Sequence, residues 1–278
     1  MPELPDLVYI QKTLHPVLPG KAIAEVHITE PIVIRVLVPK KLEEALIGAK
    51  FKDVYRHGPF LGFTFDNRLE IVLHPMLAGR LKLAATPEKP GRGRCFSLKM
   101  TDGMYLFYLD DKKMGKVYLI HAGDYQQIPK YLQQGVDILS PEFTLERFRD
   151  LIKSHRTQVR VFLMNQTALS AIGNAYADEI LFDARLHPKT FCPQLTPHEV
   201  ERLYHSIIAV MRWGIAEVEK AQQPIEVKVR DHVKVRNRKD QPCPRCGTII
   251  RRVGVLGYDA FFCPTCQPPA RQQFIEWK

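Results

Sequence analysis

Four cysteines near the end of the chain place the strongest constraint on how it folds. They form two C-x-x-C pairs separated by sixteen residues: Cys243, Cys246, Cys263 and Cys266. Two such pairs complete a tetrahedral four-thiolate site that is typical of structural zinc. Two redox-active pairs are the alternative, but the βαβ pattern that surrounds such motifs is missing from this sequence. We therefore expect one structural Zn²⁺ per chain, with TIIRRVGVLGYDAFF forming a β-hairpin between the pairs.

The rest of the sequence divides into three segments by hydrophobic periodicity. Residues 1–140 contain short β-branched and aromatic runs such as FLGFTF and LEIVLH, which predict an antiparallel sandwich or barrel. Residues 141–222 show helical periodicity, with Thr196 as N-cap and Pro197 in the first turn of a long helix. Residues 223–270 combine a basic strand with the zinc finger. The predicted fold class is therefore α+β and multidomain.

Positive charge is concentrated towards the C-terminal end. The formal net charge is +10 with a pI near 9.3, and residues 223–278 hold 11 Lys and Arg against 5 Asp and Glu, a net +6. A basic chain indicates a polyanionic partner, either nucleic acid or an acidic membrane surface. The stretch EVKVRDHVKVRNRK alternates apolar and cationic residues, which predicts a strand with one cationic face. That face is either simply solvated or contacts phosphates.

Membrane insertion and secretion find no support in the sequence. No apolar run approaches the roughly 18 residues that span a bilayer, and the start lacks the basic and apolar regions of a secretory signal. We expect a cytoplasmic protein without a membrane partner. Cys95 and Cys192 stand apart from the zinc ligands and are expected to be ordinary thiols.

The chain begins MPELPD, which is either an extended leader or a source of chemistry. If Met1 is removed, Pro2 presents a free secondary amine. An α-amino group has a pKa of about 7.7–8.0, so it is partly neutral at physiological pH and can form a Schiff base. Glu3 would then lie one residue away as a proton donor. These six residues alone do not decide between the two interpretations.

Three separate stretches together resemble the formamidopyrimidine-DNA glycosylase and endonuclease VIII family of base-excision repair enzymes. They are MPELPD, LMNQTALSAIGNAYADEILF and the cysteine spacing, and the resemblance runs from residue 1 to about 267. It implies an N-terminal β-sandwich, a helix–two-turns–helix region and a zinc finger, with damaged double-stranded DNA in the cleft between them. It further implies a monomer of bacterial type that is associated with the nucleoid.

The resemblance also implies roles for individual residues. Pro2 would be the nucleophile that attacks C1′ of the damaged nucleotide, and Glu3 the general acid. The expected DNA contacts are a phosphate-holding asparagine, a cation at a family lysine position, an apolar residue that fills the gap left by the flipped base, two turn lysines and a hairpin tyrosine: Asn174, Arg160, Met76, Lys112, Lys113 and Tyr258. Structural alternatives are an N-cap for Asn174 and a core position for Met76. Glu179 would face the pocket or lie on a helix surface.

Several positions depart from the family pattern. Pro59 stands where a lysine is usual, and Arg56 or His57 are the candidates to replace it. The other departures are lysines for arginines at Lys112 and Lys113, Met114 for an aromatic residue, Tyr258 for a phosphate-gripping arginine, and a shortened stretch from Ala221 to Val233. These changes fall on substrate binding and leave Pro2 and Glu3 intact.

Three functions are therefore compared. The favoured one is a bifunctional DNA glycosylase and abasic-site lyase that acts on oxidised bases with altered lesion preference. The alternative is a damaged-DNA-binding relative with weak or no glycosylase activity. A zinc-ribbon RNA-binding or ribosome-associated factor is the third, and it would make MPELPD and IGNAYADE coincidences.

Overall fold

The computed structural model describes residues 2–87, 91 and 93–269, which form two compact units. The first unit comprises the described residues up to Gln134 together with Ile215–Val229. The second comprises Gly135–Gly214 together with the described residues from Arg230 onward. The three-domain division with a boundary at residue 140 stays a prediction. The finger and the part of the basic segment from Arg230 onward belong to the second unit, whereas residues 226–229 belong to the first.

The described residues of the first unit form two β-sheets, two helices before the sheets' last strands and the end of a third helix, which confirms the predicted N-terminal β domain. The first two helices are α1 (Leu4–Leu14) and α2 (Leu42–Leu46). The strands are β1 (Ile23–Ile28), β2 (Ile34–Val36), β3 (Phe51–His57), β4 (Phe60–Phe65), β5 (Leu69–His74), β6 (Arg80–Ala84), β7 (Arg94–Met100), β8 (Tyr105–Leu109) and β9 (Lys116–His121). One sheet has the order β1-β7-β8-β6 and the other β2-β9-β5-β4-β3. Neighbouring strands are antiparallel except β2 and β9.

Both faces of the five-stranded sheet are covered by apolar side chains. Phe63, Ile71 and Leu119 are register partners on β4, β5 and β9 and are all buried. Alternation places Phe60, Val72 and Ile120 on the opposite face, where they pack with two buried residues of the following segment, Ile128 and Tyr131. A sheet buried on both faces gives strands without strict polar alternation, as the sequence shows.

Glu70 is a buried carboxylate on the same face as Val72. It is 1% exposed and accepts hydrogen bonds from the hydroxyls of Tyr55 and Tyr125. Tyr131 extends the group through its hydroxyl, 2.9 Å from that of Tyr55. Burial raises the pKa of Glu70, and the two hydroxyl donors oppose the rise. Burial also raises the pKa of Tyr55, so this phenol stays protonated.

The second unit is helical and ends in a hairpin. Its elements are α3 (Leu145–Lys153), α4 (Val159–Leu163), α5 (Asn174–Asp183), α6 (Pro197–Ala221), β10 (Arg251–Val255) and β11 (Tyr258–Phe262), of which α6 runs on into the first unit. The predicted start of α6 is confirmed, because Thr196 Oγ1 accepts the Glu199 N–H at 3.2 Å and Glu199 accepts the Thr196 N–H at 2.9 Å. Helix α3 begins after its N-cap residue Thr144, whose side chain accepts the Arg147 N–H at 3.2 Å.

The basic segment is not the strand that its alternating pattern predicts. Residues 225–238 form successive turns. Three consecutive N–H groups, those of Lys234, Val235 and Arg236, point to one carboxylate, that of Glu179. Strand geometry is incompatible with this arrangement because successive N–H groups in a strand point in opposite directions.

The core of the finger explains why it does not form a separate unit. Phe182 of α5 packs with Val235, Ile250, Phe261 and two of the cysteines in one buried cluster. Across the part of the chain that the structure describes, no helix has the length and apolar character that a membrane crossing requires.

Candidate functional site

Glu3 and the residues that follow it form the start of α1. Glu3 is the N-cap residue, with extended backbone angles, and only 5% of it is exposed. Its N–H donates to Asp6 Oδ2 at 2.8 Å. Leu4 and Leu7 are fully buried and anchor the helix. The adjacent Pro2 is buried as well. Both predicted chemical residues therefore have a defined position in the first unit.

The loop between β5 and β6 presents an apolar side chain to solvent. His74 Nδ1 accepts the Met76 N–H at 3.0 Å, and burial lowers the pKa of His74 to about 4. The imidazole is therefore neutral at pH 7 and keeps an acceptor for this bond. Met76 adopts a positive φ of 50° and is half-buried. The next residue, Leu77, is 57% exposed.

A second turn, between β8 and β9, carries the two predicted lysines. The fully buried Asp110 carboxylate accepts the N–H groups of Lys112 at 3.0 Å and Gly115 at 2.7 Å, and so fixes the turn. Lys113 forms an ion pair with Glu30 at 2.7 Å. Lys112 is exposed and forms no ion pair within the described residues. Lys112 is thus the better placed of the two cations to meet an anion.

The turn between β3 and β4 presents no free cation, among the described residues, in place of the lysine that the family usually has. Gly58 and Pro59 are buried there. The Arg56 guanidinium donates to the Gly58 carbonyl at 3.1 Å, and His57 Nε2 lies 2.9 Å from the Tyr131 carbonyl. Both candidate substitutes are therefore engaged by hydrogen bonds inside the first unit.

In the second unit, Asn174 is the first residue of α5, and Gly173 occupies the N-cap position. The structural alternative for Asn174, an N-cap role, is therefore wrong. Its side-chain oxygen Oδ1 instead accepts a hydrogen bond from Arg160 Nη2 at 2.9 Å. Asn174 is half-buried at the start of a ten-residue helix. The N-terminal end of a helix favours a bound anion.

Arg160 is placed differently from the prediction. Its side chain has 0% exposure, and its Nε donates to Asp178 Oδ1 at 2.7 Å. Nη2 also donates to the Asp259 carbonyl at 2.9 Å. The guanidinium is held inside the unit because its donors are bound to the Asp178 carboxylate and the Asp259 carbonyl. A direct phosphate contact by Arg160 therefore conflicts with its environment.

Asp178 lies between two guanidinium groups. Arg236 Nη1 donates to its Oδ2 at 2.8 Å and to the Asp259 carbonyl at the same distance. The Phe261 N–H donates to the same Oδ2 at 3.2 Å. Burial raises the pKa of Asp178, and the two guanidiniums act in the opposite direction. A buried guanidinium requires a counter-charge, so we take this carboxylate as ionised.

Glu179 neither faces an open pocket nor lies on a helix surface. It is 1% exposed, and its carboxylate accepts the three N–H groups of residues 234–236, each at 2.9 Å. It therefore anchors the basic segment. The role of both acidic residues of IGNAYADE was missed in the sequence, although two adjacent carboxylates between apolar residues of α5 were a usable signal.

The hairpin carries the predicted tyrosine near its turn. Leu256 and Gly257 form the turn with φ of 45° and 81°. Positive φ at both positions is the geometry of a tight two-residue hairpin turn. Tyr258 is 56% exposed beside this turn. The negative charge of Asp259 is balanced by Arg252 at 3.2 Å. The hairpin thus presents a neutral hydroxyl where an arginine was expected.

The four cysteines fit one zinc ion. Their sulfur atoms lie within 4.8 Å of one another. The sulfur–sulfur distance is 3.9 Å for Cys243–Cys266 and 3.5 Å for both Cys246–Cys263 and Cys246–Cys266. A tetrahedron of 2.3 Å Zn–S bonds has edges of about 3.8 Å. Four thiolates leave no open coordination position, so the zinc is structural.

Three family models match successive parts of the chain. The sequence matches the formamidopyrimidine-DNA glycosylase N-terminal domain over residues 1–117 and the formamidopyrimidine-DNA glycosylase H2TH domain over 134–224. Residues 240–269 match the zinc finger found in FPG and IleRS.

Individual relatives cover nearly the whole chain. A formamidopyrimidine-DNA glycosylase of Symbiobacterium thermophilum is 35% identical over 275 residues, 96% of this chain and 90% of that protein. One of Bacillus cereus is 31% identical over 96% of this chain and 99% of that protein. The Lactococcus lactis enzyme non-covalently bound to abasic-site DNA has a TM-score of 0.84 at 26% identity, with 96% and 99% of the two chains covered. MutM (Fpg) from Thermus thermophilus has a TM-score of 0.83 at 30% identity, with the same shares. This chain belongs to the formamidopyrimidine-DNA glycosylase family.

Proposed function

We propose that this chain excises oxidised bases from double-stranded DNA and cleaves the strand at the resulting abasic site. The observation that carries the proposal is the anchored chain start, where α1 holds Pro2 and Glu3 in fixed, buried positions. Family membership supports the same activity. Solved relatives bind DNA that contains an abasic site or a Fapy-dG lesion, the classes of DNA proposed for this chain.

The chemistry starts from the Pro2 nitrogen after Met1 has been removed. Its lone pair forms a bond to C1′ of the damaged nucleotide, while the bond from C1′ to the base breaks; the base leaves with that electron pair and takes up the proton that the Pro2 nitrogen loses. Glu3 donates its proton to the sugar ring oxygen as the ring opens, which leaves an iminium between Pro2 and C1′. Loss of a C2′ proton to solvent converts the iminium into an enamine, whose electron pair expels the 3′ phosphate; loss of a further sugar proton drives elimination of the 5′ phosphate in the same way. Covalent capture thus replaces one difficult step by easier ones.

The nucleotide must leave the duplex before this attack, because C1′ is shielded inside the base stack. The gap that it leaves needs an apolar side chain. The resemblance assigned this role to Met76, but Leu77 is the exposed residue of the loop, and Met76 is held at its backbone by His74. We assign the gap-filling role to Leu77 and a loop-shaping role to Met76.

Binding of the DNA backbone is assigned to three exposed or half-exposed groups. Lys112 supplies a positive charge, Asn174 supplies amide donors at the start of α5, and Tyr258 supplies a hydroxyl beside the hairpin turn. Lys113 contributes less because Glu30 already neutralises it. Phosphate contacts by cations release counterions, so affinity must fall as salt rises.

A second candidate function is recognition of damaged DNA without efficient base excision. The observation that favours it is Pro59, which cannot supply an ammonium group near the reacting sugar. Arg56 and His57 are hydrogen-bonded within their own unit and do not make good this loss. The two candidates predict the same affinity for lesions but opposite outcomes for covalent capture.

Borohydride trapping distinguishes the two functions. It is applied to duplexes that contain an oxidised purine, an oxidised pyrimidine or an abasic site, with Glu3→Gln as matched variant. If the chain is a glycosylase, borohydride traps a complex with at least one duplex, and Glu3→Gln forms that complex more slowly. Lesion-specific binding without trapping supports the second function. A protein that shows neither trapping nor lesion-specific binding would support neither function.

The assembly and location follow the same proposal. The chain acts as a monomer on the bacterial chromosome, in keeping with its bacterial relatives. Sedimentation of the free protein at micromolar concentration tests the monomer, and a stable dimer would contradict it.

A further inference from the structure

We propose that Arg160 is a positioning residue that fixes the orientation of the Asn174 amide and ties the start of the β11 strand to the start of α5. The proposal rests on the function proposed above, in which Asn174 and Tyr258 contact the DNA backbone. It replaces the direct phosphate contact expected of Arg160 by an action through its neighbours.

The hydrogen bonds of the Arg160 guanidinium are directed into the protein. With 0% exposure, its Nε is bound to Asp178, and its Nη2 is shared between Asn174 Oδ1 and the Asp259 carbonyl, both at 2.9 Å. Nη1 is buried and has no hydrogen-bond partner among the described residues. A phosphate cannot approach a fully buried guanidinium without a rearrangement of this cluster.

The bond to Asn174 determines which end of the amide faces outward. A guanidinium has five N–H donors and no acceptor. Only the Asn174 oxygen can therefore face Arg160, because the flipped amide would place two donors against each other. The Nδ2 group, with both of its donors, is then directed away from Arg160. Without this bond the amide could rotate and present its oxygen, which a phosphate would repel.

The same guanidinium holds the hairpin. Its bond to the Asp259 carbonyl is matched by one from Arg236 at 2.8 Å, and Asp178 accepts the Phe261 N–H at 3.2 Å. These bonds lie within the first four residues of β11, directly after the hairpin turn. Two of the proposed backbone-binding groups, Asn174 and Tyr258, are thereby linked through one buried cluster in a single unit.

Arginine is required here and lysine would not serve. The three acceptors of Arg160 lie on an aspartate side chain, an asparagine side chain and a main-chain carbonyl. A planar fork of donors can meet them together, whereas a lysine offers one compact ammonium group. The lysine that the family resemblance places here would form at most part of this network.

The test compares Arg160→Lys, Asn174→Ala and the double variant for binding to a duplex with a stable tetrahydrofuran abasic analogue. Each single variant should weaken binding roughly tenfold, as expected for loss of one hydrogen bond to a charged group. The double variant should bind the duplex no more weakly than the single variant with the lower affinity, because Arg160 acts through Asn174. Arg147→Gln removes an exposed arginine of the same unit and is the control, with an expected change of less than about twofold. Additive losses in the double variant would overturn the proposal.

A second variant protects the test against misfolding of the buried cluster. Asn174→Asp keeps an oxygen for Arg160 and exchanges the outward amide for a second oxygen. It should bind more weakly than Asn174→Ala, because a fixed outward oxygen repels phosphate. Equal affinities would show that the side chain is not held and would overturn the proposal.

Two further readouts separate this inference from the proposed function. If Arg160 touched phosphate directly, Arg160→Gln would reduce the slope of log K against log salt by about 0.9; the proposal predicts an unchanged slope. Wild-type protein that binds the duplex but traps no complex with borohydride would contradict the glycosylase and leave the coupling between Arg160 and Asn174 intact.

Discussion

The Glu179 carboxylate accepts the backbone N–H of Val235 at 2.9 Å, and the N–H groups on either side of Val235 bind the same carboxylate. One acidic side chain of α5 therefore fixes a turn of the basic segment. A carboxylate with three backbone donors is a strong local constraint, because charge-assisted hydrogen bonds are about twice as strong as neutral ones.

Replacement of Glu179 by alanine should destabilise the second unit. Three backbone donors lose their acceptor, and we expect a cost of about 3 kcal/mol in the free energy of unfolding. Urea unfolding measures this cost. Glu201→Gln, at an exposed glutamate paired with Arg149, is the matched control and should change stability by less than about 0.5 kcal/mol. A Glu179→Ala variant as stable as this control would contradict the anchoring role.

Glu70→Gln should change the pH dependence of stability. Burial raises the pKa of Glu70 in the folded protein, so its contribution to stability is complete below the unfolded pKa of about 4.3 and is lost as pH rises through the folded value. The neutral glutamine does not titrate, so the variant should unfold at a higher temperature than wild type at pH 8 and show a flatter profile. Thermal unfolding from pH 4 to 8 measures this. If the unfolding temperatures of wild type and Glu70→Gln change with pH in parallel, the prediction is contradicted. Glu25→Gln, at an exposed glutamate, is the control.

Zinc removal should unfold the finger and leave the first unit intact. All four ligands belong to the second unit, and binding of a structural metal supplies much of the folding energy of such a finger. After chelation, hydrogen exchange should lose protection at Phe261 and retain it at Val72 of β5. DNA affinity should fall at least tenfold, since the hairpin that carries Tyr258 is lost. Unchanged affinity in the metal-free protein would exclude a role for the finger in binding.

Leu77→Ala should impair binding to abasic DNA more than Met76→Ala does. Removal of an apolar side chain from the gap costs about 1–2 kcal/mol, or roughly tenfold in affinity. Leu132→Ala truncates another leucine of the first unit, 63% exposed, and serves as the control. Equal effects at Leu77 and Leu132, with a larger loss at Met76, would return the gap-filling role to Met76.

Features with a local cause were predictable from the sequence. The hairpin turn and the start of α6 at Thr196 depend on residues a few positions apart, and the zinc site depends on two C-x-x-C pairs, a motif that is recognisable even though sixteen residues separate the pairs. The turns of the basic segment were not predictable, because the carboxylate that organises them lies 55 to 57 positions away in the sequence. The burial of Arg160 was not predictable either, because it depends on Asp178, 18 positions later. Its positive charge alone indicated a phosphate contact.

The candidate catalytic pair, Pro2 and Glu3, shows what the sequence could predict and what it could not. MPELPD and the family resemblance singled out Pro2 and Glu3, but only the structure shows that α1 and Asp6 hold them in place. Leu77, to which we assign the gap-filling role, was not singled out in the sequence because Met76 is adjacent and equally apolar, and only exposure separates the two.

The central claim is that the Pro2 nitrogen forms a covalent bond with the sugar of a damaged nucleotide. The most direct measurement is mass spectrometry of the complex reduced by borohydride on abasic-site DNA, with peptide mapping of the modified residue. The account predicts that Met1 is absent and that the sugar remnant is attached to Pro2. A remnant on a lysine side chain, or a trapped complex formed by protein that retains Met1, would contradict it.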